Sequence, residues 1–484
     1  MRSSRKIRGF ASPGRWTFAA AIGAIGCGQG APAAPPEPDL EALAQAVSFP
    51  ATVSAGESHA CVNSKGMVKC WGNNTEGKLG LGNTLNRGDT SGEMDDNLPW
   101  VDLGQTTSHL LVSSVVAGGG HSCAILSDGS LKCWGGSAAG QLGIATTNPT
   151  GDNPGEMGTA LPYVNLGPGR RALSVALGLN HTCALLDNGS VKCWGANAYG
   201  QLGLGDTNSR GATQAQMDSL PPVDLGLGRV AWAIAAGGNH TCAIISQPPD
   251  GGLHPKSLAC WGRNSSGQLG INTTSNRGDG PGEMGSALGL AITGAVEVSK
   301  VSVGADHTCA LLTDGKVKCW GLNSSGQLGL GNTVNRGGTA NDMQSLPVLD
   351  LGFTVRATDI SSRRNHTCVR FIAGDSGTTV TGVKCWGNNG FGQLGRGDTS
   401  NRGNNSNEMG DFLTATNIGF TESTVAAGGE FSCASAQTGV KCWGRGTYGV
   451  IGQGNTTSRG DDPGEMGTNL AWVPLGTPPD GGAP

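Results

Sequence analysis

The chain has 484 residues, of which 84 are glycine, 14% are charged and 5% are aromatic, and its formal net charge is -4. Glycine far above the usual ~7%, with so little charge, excludes a coiled coil and an ordinary helical bundle. The glycines have no three-residue period, which excludes collagen, and the low net charge argues against disorder.

Residues 1–16 carry Arg2, Arg5, Lys6, Arg8 and Arg15 and no acid; residues 17–26 are uncharged, and Cys27 follows. This is the pattern of an export signal, with an apolar stretch too short to cross ~30 Å of hydrocarbon. Ala24-Ile25-Gly26-Cys27 resembles the bacterial lipoprotein cleavage box, so residues 1–27 are expected to be a leader with lipid attachment at Cys27. Ordinary signal-peptidase cleavage and secretion is the alternative. Residues 28–48 read as an Ala/Pro-rich linker. Loss of the leader leaves 27 basic residues against 36 acidic ones. Such a surface repels phosphate backbones, so no nucleic-acid partner is expected. No other stretch approaches 18 apolar residues, which limits membrane contact to a lipid anchor. The expected location is the bacterial outer membrane or cell surface.

Residues 49–476 hold one block seven times, and 477–484 form a tail. The fullest copies read AGGGHSCAILSDGSLKCWG, then GQLG, a loop like NRGDxPGEMG, and LPxVDLG. The first cysteines of the copies are spaced 62, 60, 59, 67, 59 and 65 residues apart. Within a copy, residues 113–117, 123–126 and 131–134 read as strands, and 162–166 as a fourth, outermost one. Asp128-Gly129 reads as the hairpin turn. Short sheets repeated at this period predict an all-β fold, a seven-bladed β-propeller of four-stranded antiparallel blades. A linear β-solenoid is the alternative, though its coils are shorter and carry no hairpins.

Fifteen cysteines make seven pairs plus Cys27. Two- and three-residue turns place Cys61 opposite Cys70 and Cys123 opposite Cys133 on neighbouring antiparallel strands. The same logic pairs Cys183 with Cys193, Cys242 with Cys260, Cys309 with Cys319, Cys368 with Cys385 and Cys433 with Cys442. The last pair fits less well, because Gly439 is off-centre between its cysteines. Seven bridges suit an oxidising compartment. No C-x-x-C occurs and each hairpin offers two thiols, so zinc is not expected. A tryptophan follows the second cysteine of every copy, from Trp71 to Trp443, and strand alternation sends it to the opposite face, against a neighbouring blade. The Leu of GQLG, Ile451 in the last copy, is expected in the same wedge.

Gly178–Gly203 (GLNHTCALLDNGSVKCWGANAYGQLG) and Gly304–Gly329 resemble the repeat of the regulator of chromosome condensation family. The resemblance covers roughly residues 50–476 and implies the seven-bladed propeller. It implies by analogy a guanine-nucleotide-exchange regulator, but an exported acidic chain does not meet a cytosolic GTPase. Paired hairpin cysteines, the leader and the long loops depart from the nuclear exchange factor of that family.

The candidate chemistry is sparse. His59, His121, His181, His240, His307 and His366 share one position, with Phe431 in the seventh copy. They read as structural residues bonding backbone in the inner turn, against a ring of metal-binding imidazoles. Arg87, Arg210, Arg277, Arg336, Arg402 and Arg459 recur near Glu93, Glu156, Glu283, Glu408 and Glu465. They read as ion pairs fixing glycine-rich loops, with calcium binding as the alternative. No nucleophile elbow, zinc-protease or phosphate-loop motif occurs. The expectation is a monomeric, exported or surface-anchored protein-binding propeller without catalytic activity, cofactor or metal, its partner a protein or cell-envelope ligand; a propeller enzyme of unknown substrate is the alternative. Partner contacts are expected where copies differ, in the hairpin insertions Gln247–Lys256, with Leu253 and His254, and Ala373–Thr381.

Overall fold

Seven antiparallel sheets follow one another along the chain, each built from consecutive strands of one repeat. The computed structural model describes residues 52–105, 110–246, 256–292, 296–374 and 380–477, all in the unit Phe49–Pro484. Cys27, Leu253, His254, the linker and residues 478–484 lie outside the described residues. The second repeat shows the pattern: β4 (Val112–Ala117), β5 (His121–Leu126) and β6 (Leu131–Gly135) in that order. These bounds match the sequence reading to within two residues.

The hairpin register is the one the cysteine spacing requires. Cys61 pairs with Cys70 and Cys123 with Cys133 across the ladder, and all seven bridges join neighbouring strands of one sheet. Gly129, at a φ of 82°, holds the left-handed position that a three-residue hairpin loop needs. The seventh hairpin turns at Gln437-Thr438 instead, and Gly439 is the first residue of its strand, paired with Ala436. Its two-residue turn is the arrangement of the first repeat, where Ser64 pairs with Met67.

The outermost strand is weaker than the sequence suggests. Among the described residues, the fourth repeat alone has a fourth strand, Leu290–Ile292. Elsewhere the segment touches its sheet through a single backbone bond, such as Val164 N–H to Leu131 O at 2.8 Å or Val223 N–H to Val191 O at 2.7 Å. Pro99, Pro162, Pro221 and Pro347 each stand two residues before that bond, where they remove the donor the ladder would use next. The fourth repeat has no proline there; the sixth and seventh, with Thr414 and Ala471 at that place, lack both the proline and the strand, so proline accounts for the four repeats that carry it.

Successive sheets meet face to face around an axis. Each junction buries a cluster, such as Leu79, Cys61 and Cys70 of one repeat with Trp134 of the next. Sulfurs thus face the following blade and tryptophans the preceding one. All seven tryptophans are fully buried, and each removes ~150–250 Å² from water, or about 4–6 kcal/mol before entropy. The ring closes without strand exchange: Trp71 Nε1–H reaches Val450 O at 2.9 Å, and Gly429 N–H reaches Gly56 O at 3.0 Å.

Each bridge closes a short loop, which in the chain-entropy account stabilises the fold by about 2.5–3 kcal/mol. The double substitution Cys183→Ala/Cys193→Ala is expected to cost that much in denaturant unfolding while leaving the other six bridges intact by non-reducing peptide mapping. Shuffled bridges in the variant would contradict the register.

Candidate functional site

The repeated polar residues are consumed at the junctions. Gln141 O accepts from Trp194 Nε1–H at 3.0 Å and from the Thr182 hydroxyl at 2.8 Å, both of the next blade. Lys78, Gln201, Gln268 and Gln393 carbonyls repeat this double contact. The same hydroxyl is 2.8 Å from His121 Nε2 of its preceding blade. Having given its proton to the carbonyl, it must accept one from the imidazole, so His121 carries its proton on Nε2. His59, His181, His240, His307 and His366 make the same contact with Ser122, Thr241, Thr308, Thr367 and Ser432. The expected bond to backbone is therefore a bond to the neighbouring blade's hydroxyl. Among the described residues, no three His, Cys, Asp or Glu side chains gather around a metal position.

Burial lowers these histidines: His121, His240 and His366 to about 3, and His181 and His307 to about 4. Nδ1 of each is buried without a hydrogen-bond partner, against the glycine turn. A Cβ on Gly178 would stand 2.3 Å from His181 Nδ1, which is why this turn is glycine. The junction between the last and first blades keeps the indole bond but abandons the histidine–hydroxyl pair, with Phe431, Ala60 and Val450 at the histidine, hydroxyl and glutamine positions. Removing both partners of a buried bond together leaves no orphan.

The long-loop acids cap backbone rather than pair with arginine. Glu283 accepts from Gly278 and Gly280 N–H at 3.0 and 2.9 Å, and Glu93, Glu156, Glu408 and Glu465 do the same in their loops. Asp342 takes over in the fifth copy and Gln216 in the third. Of the expected pairs, Arg459 with Glu465 forms, at 3.7 Å. Arg210 and Arg402 turn instead to Asp206 and Asp398.

Symmetry breaks at the axis. Six inner turns begin with glycine; the sixth blade carries Ser362-Arg363-Arg364-Asn365 there. Arg363 Nη1 donates across the axis to Leu177 O of the third blade at 3.3 Å, and its Nε is 3.9 Å from Glu57. Arg364 meets Glu57 at 3.4 Å and Glu430 at 2.8 Å, and Arg445 also pairs with Glu430. Sequence reading passed over Arg363, although an arginine in a glycine column of the repeat was the signal.

A model of the RCC1-like domain matches residues 16–402. The chain belongs to that family. Among curated relatives, the ultraviolet-B receptor UVR8 of Arabidopsis thaliana is 30% identical over 287 residues, 59% of this chain and 56% of that one. The probable E3 ubiquitin-protein ligase HERC6 of Homo sapiens is 30% identical over 59% of this chain and 24% of its own length. The chain thus spans about half the length, or less, of these relatives. Among solved structures, Prp20p of Saccharomyces cerevisiae has a TM-score of 0.58 and 20% identity, covering 88% of this chain and 87% of that one. Human WBSCR16 has a TM-score of 0.57 at 20% identity, covering 79% and 86%.

This RCC1-like propeller has its copy-specific features on the face formed by the hairpin tips. The first strand of several blades is bulged. The bulge residue is Ser113, Ser299 or Thr358 in three blades, each hydroxyl bonding a carbonyl of the next strand. In blades three and four it is Leu173 and Trp232, 63% and 58% exposed. Leu227, at 96%, and Phe353, at 81%, stand on the segments entering blades four and six. Trp232 touches both flanks of the Gln247–Lys256 insertion, through Ser246 Oγ at 2.6 Å and Lys256 Nζ 4.5 Å from its ring.

The buried histidines bind protons in the unfolded chain, near their ordinary 6.5, but not in the fold until about pH 3–4. Their neutral form costs nothing above pH 6.5, and stability falls as pH drops below it, by up to about 1.4 kcal/mol per pH unit for each. His121→Phe with Thr182→Ala, copying the closing junction, is expected to fold and to shrink the acid slope by one proton. Thr182→Ala alone should be the less stable variant at pH 7. Thermal melts from pH 7 to 4 check both.

Proposed function

We propose that this protein is an exported, surface-anchored binding propeller that performs no chemistry and captures a protein partner on its hairpin face. The observation that carries the reading is the placement of Leu173 and Trp232 in solvent, at positions where other blades hold a hydroxyl bonded to backbone. Repeated polar groups are spent on holding blades together, so exposed apolar side chains at copy-specific sites have no scaffold role. Leu227 stands exposed on the segment entering blade four, and Leu253 and His254 belong by sequence to the stretch between Ser246 and Lys256. Seven hairpin disulfides favour an oxidising compartment. Lipid on Cys27 would hold the protein at the membrane through the Pro-rich linker. Solved relatives bind proteins: yeast RCC1 (Prp20) is known bound to Kap60, and Prp20p for its binding to Gsp1p and histones.

Leu173→Ser/Trp232→Ser is expected to keep all seven bridges and to reduce capture of envelope proteins from the source cells by about tenfold or more, the loss of a hot-spot anchor. Undiminished capture would move the partner to another face. Cys27→Ser should release the protein from membranes into the soluble fraction; a wild-type protein already soluble on export would refute the anchor.

A further inference from the structure

The axis holds a cavity of about 260 Å³ lined by the innermost strands of all seven blades. Small residues and serines of those strands line it, its surface is more polar than apolar, and its one charged lining residue is Arg363. Arg363 closes the end beside the inner turns, its side chain 14% exposed. Of five guanidinium N–H donors, one makes a hydrogen bond, to Leu177 O, and Glu57 at 3.9 Å is beyond hydrogen-bond distance. A guanidinium with one hydrogen bond and no carboxylate nearer than 3.9 Å is poorly neutralised. Its field reaches His59, His121 and His181, where it adds to burial in lowering their basicity.

Four serines line the same cavity: Ser362 Oγ lies 3.1 Å from Thr367 Oγ1, and each of the other three accepts a hydrogen bond from the next blade. Ser54, Ser302 and Ser361 Oγ accept from Ala117, Ser362 and Ala427 N–H of the next blade at 3.0, 2.7 and 2.9 Å. Their hydroxyl protons find no acceptor among the described residues, and the cavity is where those protons can point. The side-chain donors left for a ligand are therefore one guanidinium and three O–H groups. Charge-assisted bonds to an anion are what such a set satisfies best. The volume equals about eight waters at ~30 Å³ each, room for a four-carbon chain with a charged head.

We infer that the axial cavity binds a small carboxylate, its head on Arg363 and the serine hydroxyls. Entry is from the hairpin end, because Arg363 closes the other. This site is separate from the hairpin-face surface and stands or falls without it.

Butyrate is the probe, with butyramide as its neutral isostere, titrated into the full exported chain by calorimetry and thermal shift. Saturable binding of butyrate, at least about tenfold tighter than butyramide, is expected. Arg363→Gly restores the residue that six other copies carry, so the variant should fold with all bridges formed and bind butyrate at least about tenfold more weakly. Ser361→Ala should weaken it by a few-fold and keep the preference over butyramide. No saturable binding by the wild type, equal binding of butyramide, or unchanged binding by a folded Arg363→Gly would overturn the assignment.

Discussion

One carbonyl oxygen per junction organises the ring. The backbone oxygen at the Gln position of GQLG receives the next blade's indole N–H and, in five junctions, its Ser or Thr hydroxyl as well. That oxygen would otherwise be a buried acceptor left without a partner, a cost of about 1–3 kcal/mol. Satisfying it from the neighbouring blade couples each sheet's position to the next. The hydroxyl, having donated, fixes the histidine tautomer in turn. A chain of single bonds thus runs from loop to indole and hydroxyl to imidazole, in a wedge already filled by tryptophan and leucine.

The seam between the last and first blades shows what the polar device is for and what replaces it. Phe431, Ala60 and Val450 remove histidine, hydroxyl and glutamine together, while the indole bond from Trp71 persists. Hydrophobic packing then holds the closure. Among the described residues no strand crosses from one repeat to another, so there the seam is held by side-chain fit rather than by a shared sheet. Disulfides act at a different level, pinning each hairpin internally and leaving the junctions to packing.

The regularity has a functional consequence. Residues that recur in the repeats are occupied by the scaffold: histidines by hydroxyls, loop glutamates by backbone N–H groups, and several ladder lysines by carbonyls, as Lys132 Nζ with Leu103 O and Gly158 O. What remains for recognition is the departures from the pattern. They fall in two places, the hairpin face near Leu173 and Trp232 and the axis at Arg363.

The period, the cysteine offsets and the tryptophan column were enough to read seven blades, the disulfide register and the buried face of each sheet. Those features are local: strand alternation and hairpin length decide them within one repeat. The weak outer strand was also written locally, in Pro99, Pro162, Pro221 and Pro347, but was overlooked in favour of the repeat's average. Partners between repeats were not legible. That His121 bonds Thr182 and that Arg363 reaches Leu177 depend on how blades are rotated about the axis. The sequence by itself determined the blade, because each blade is made of neighbours in the chain. Only the tertiary structure decided the junctions and the axis, because there residues about sixty or more positions apart meet across surfaces that no local pattern encodes.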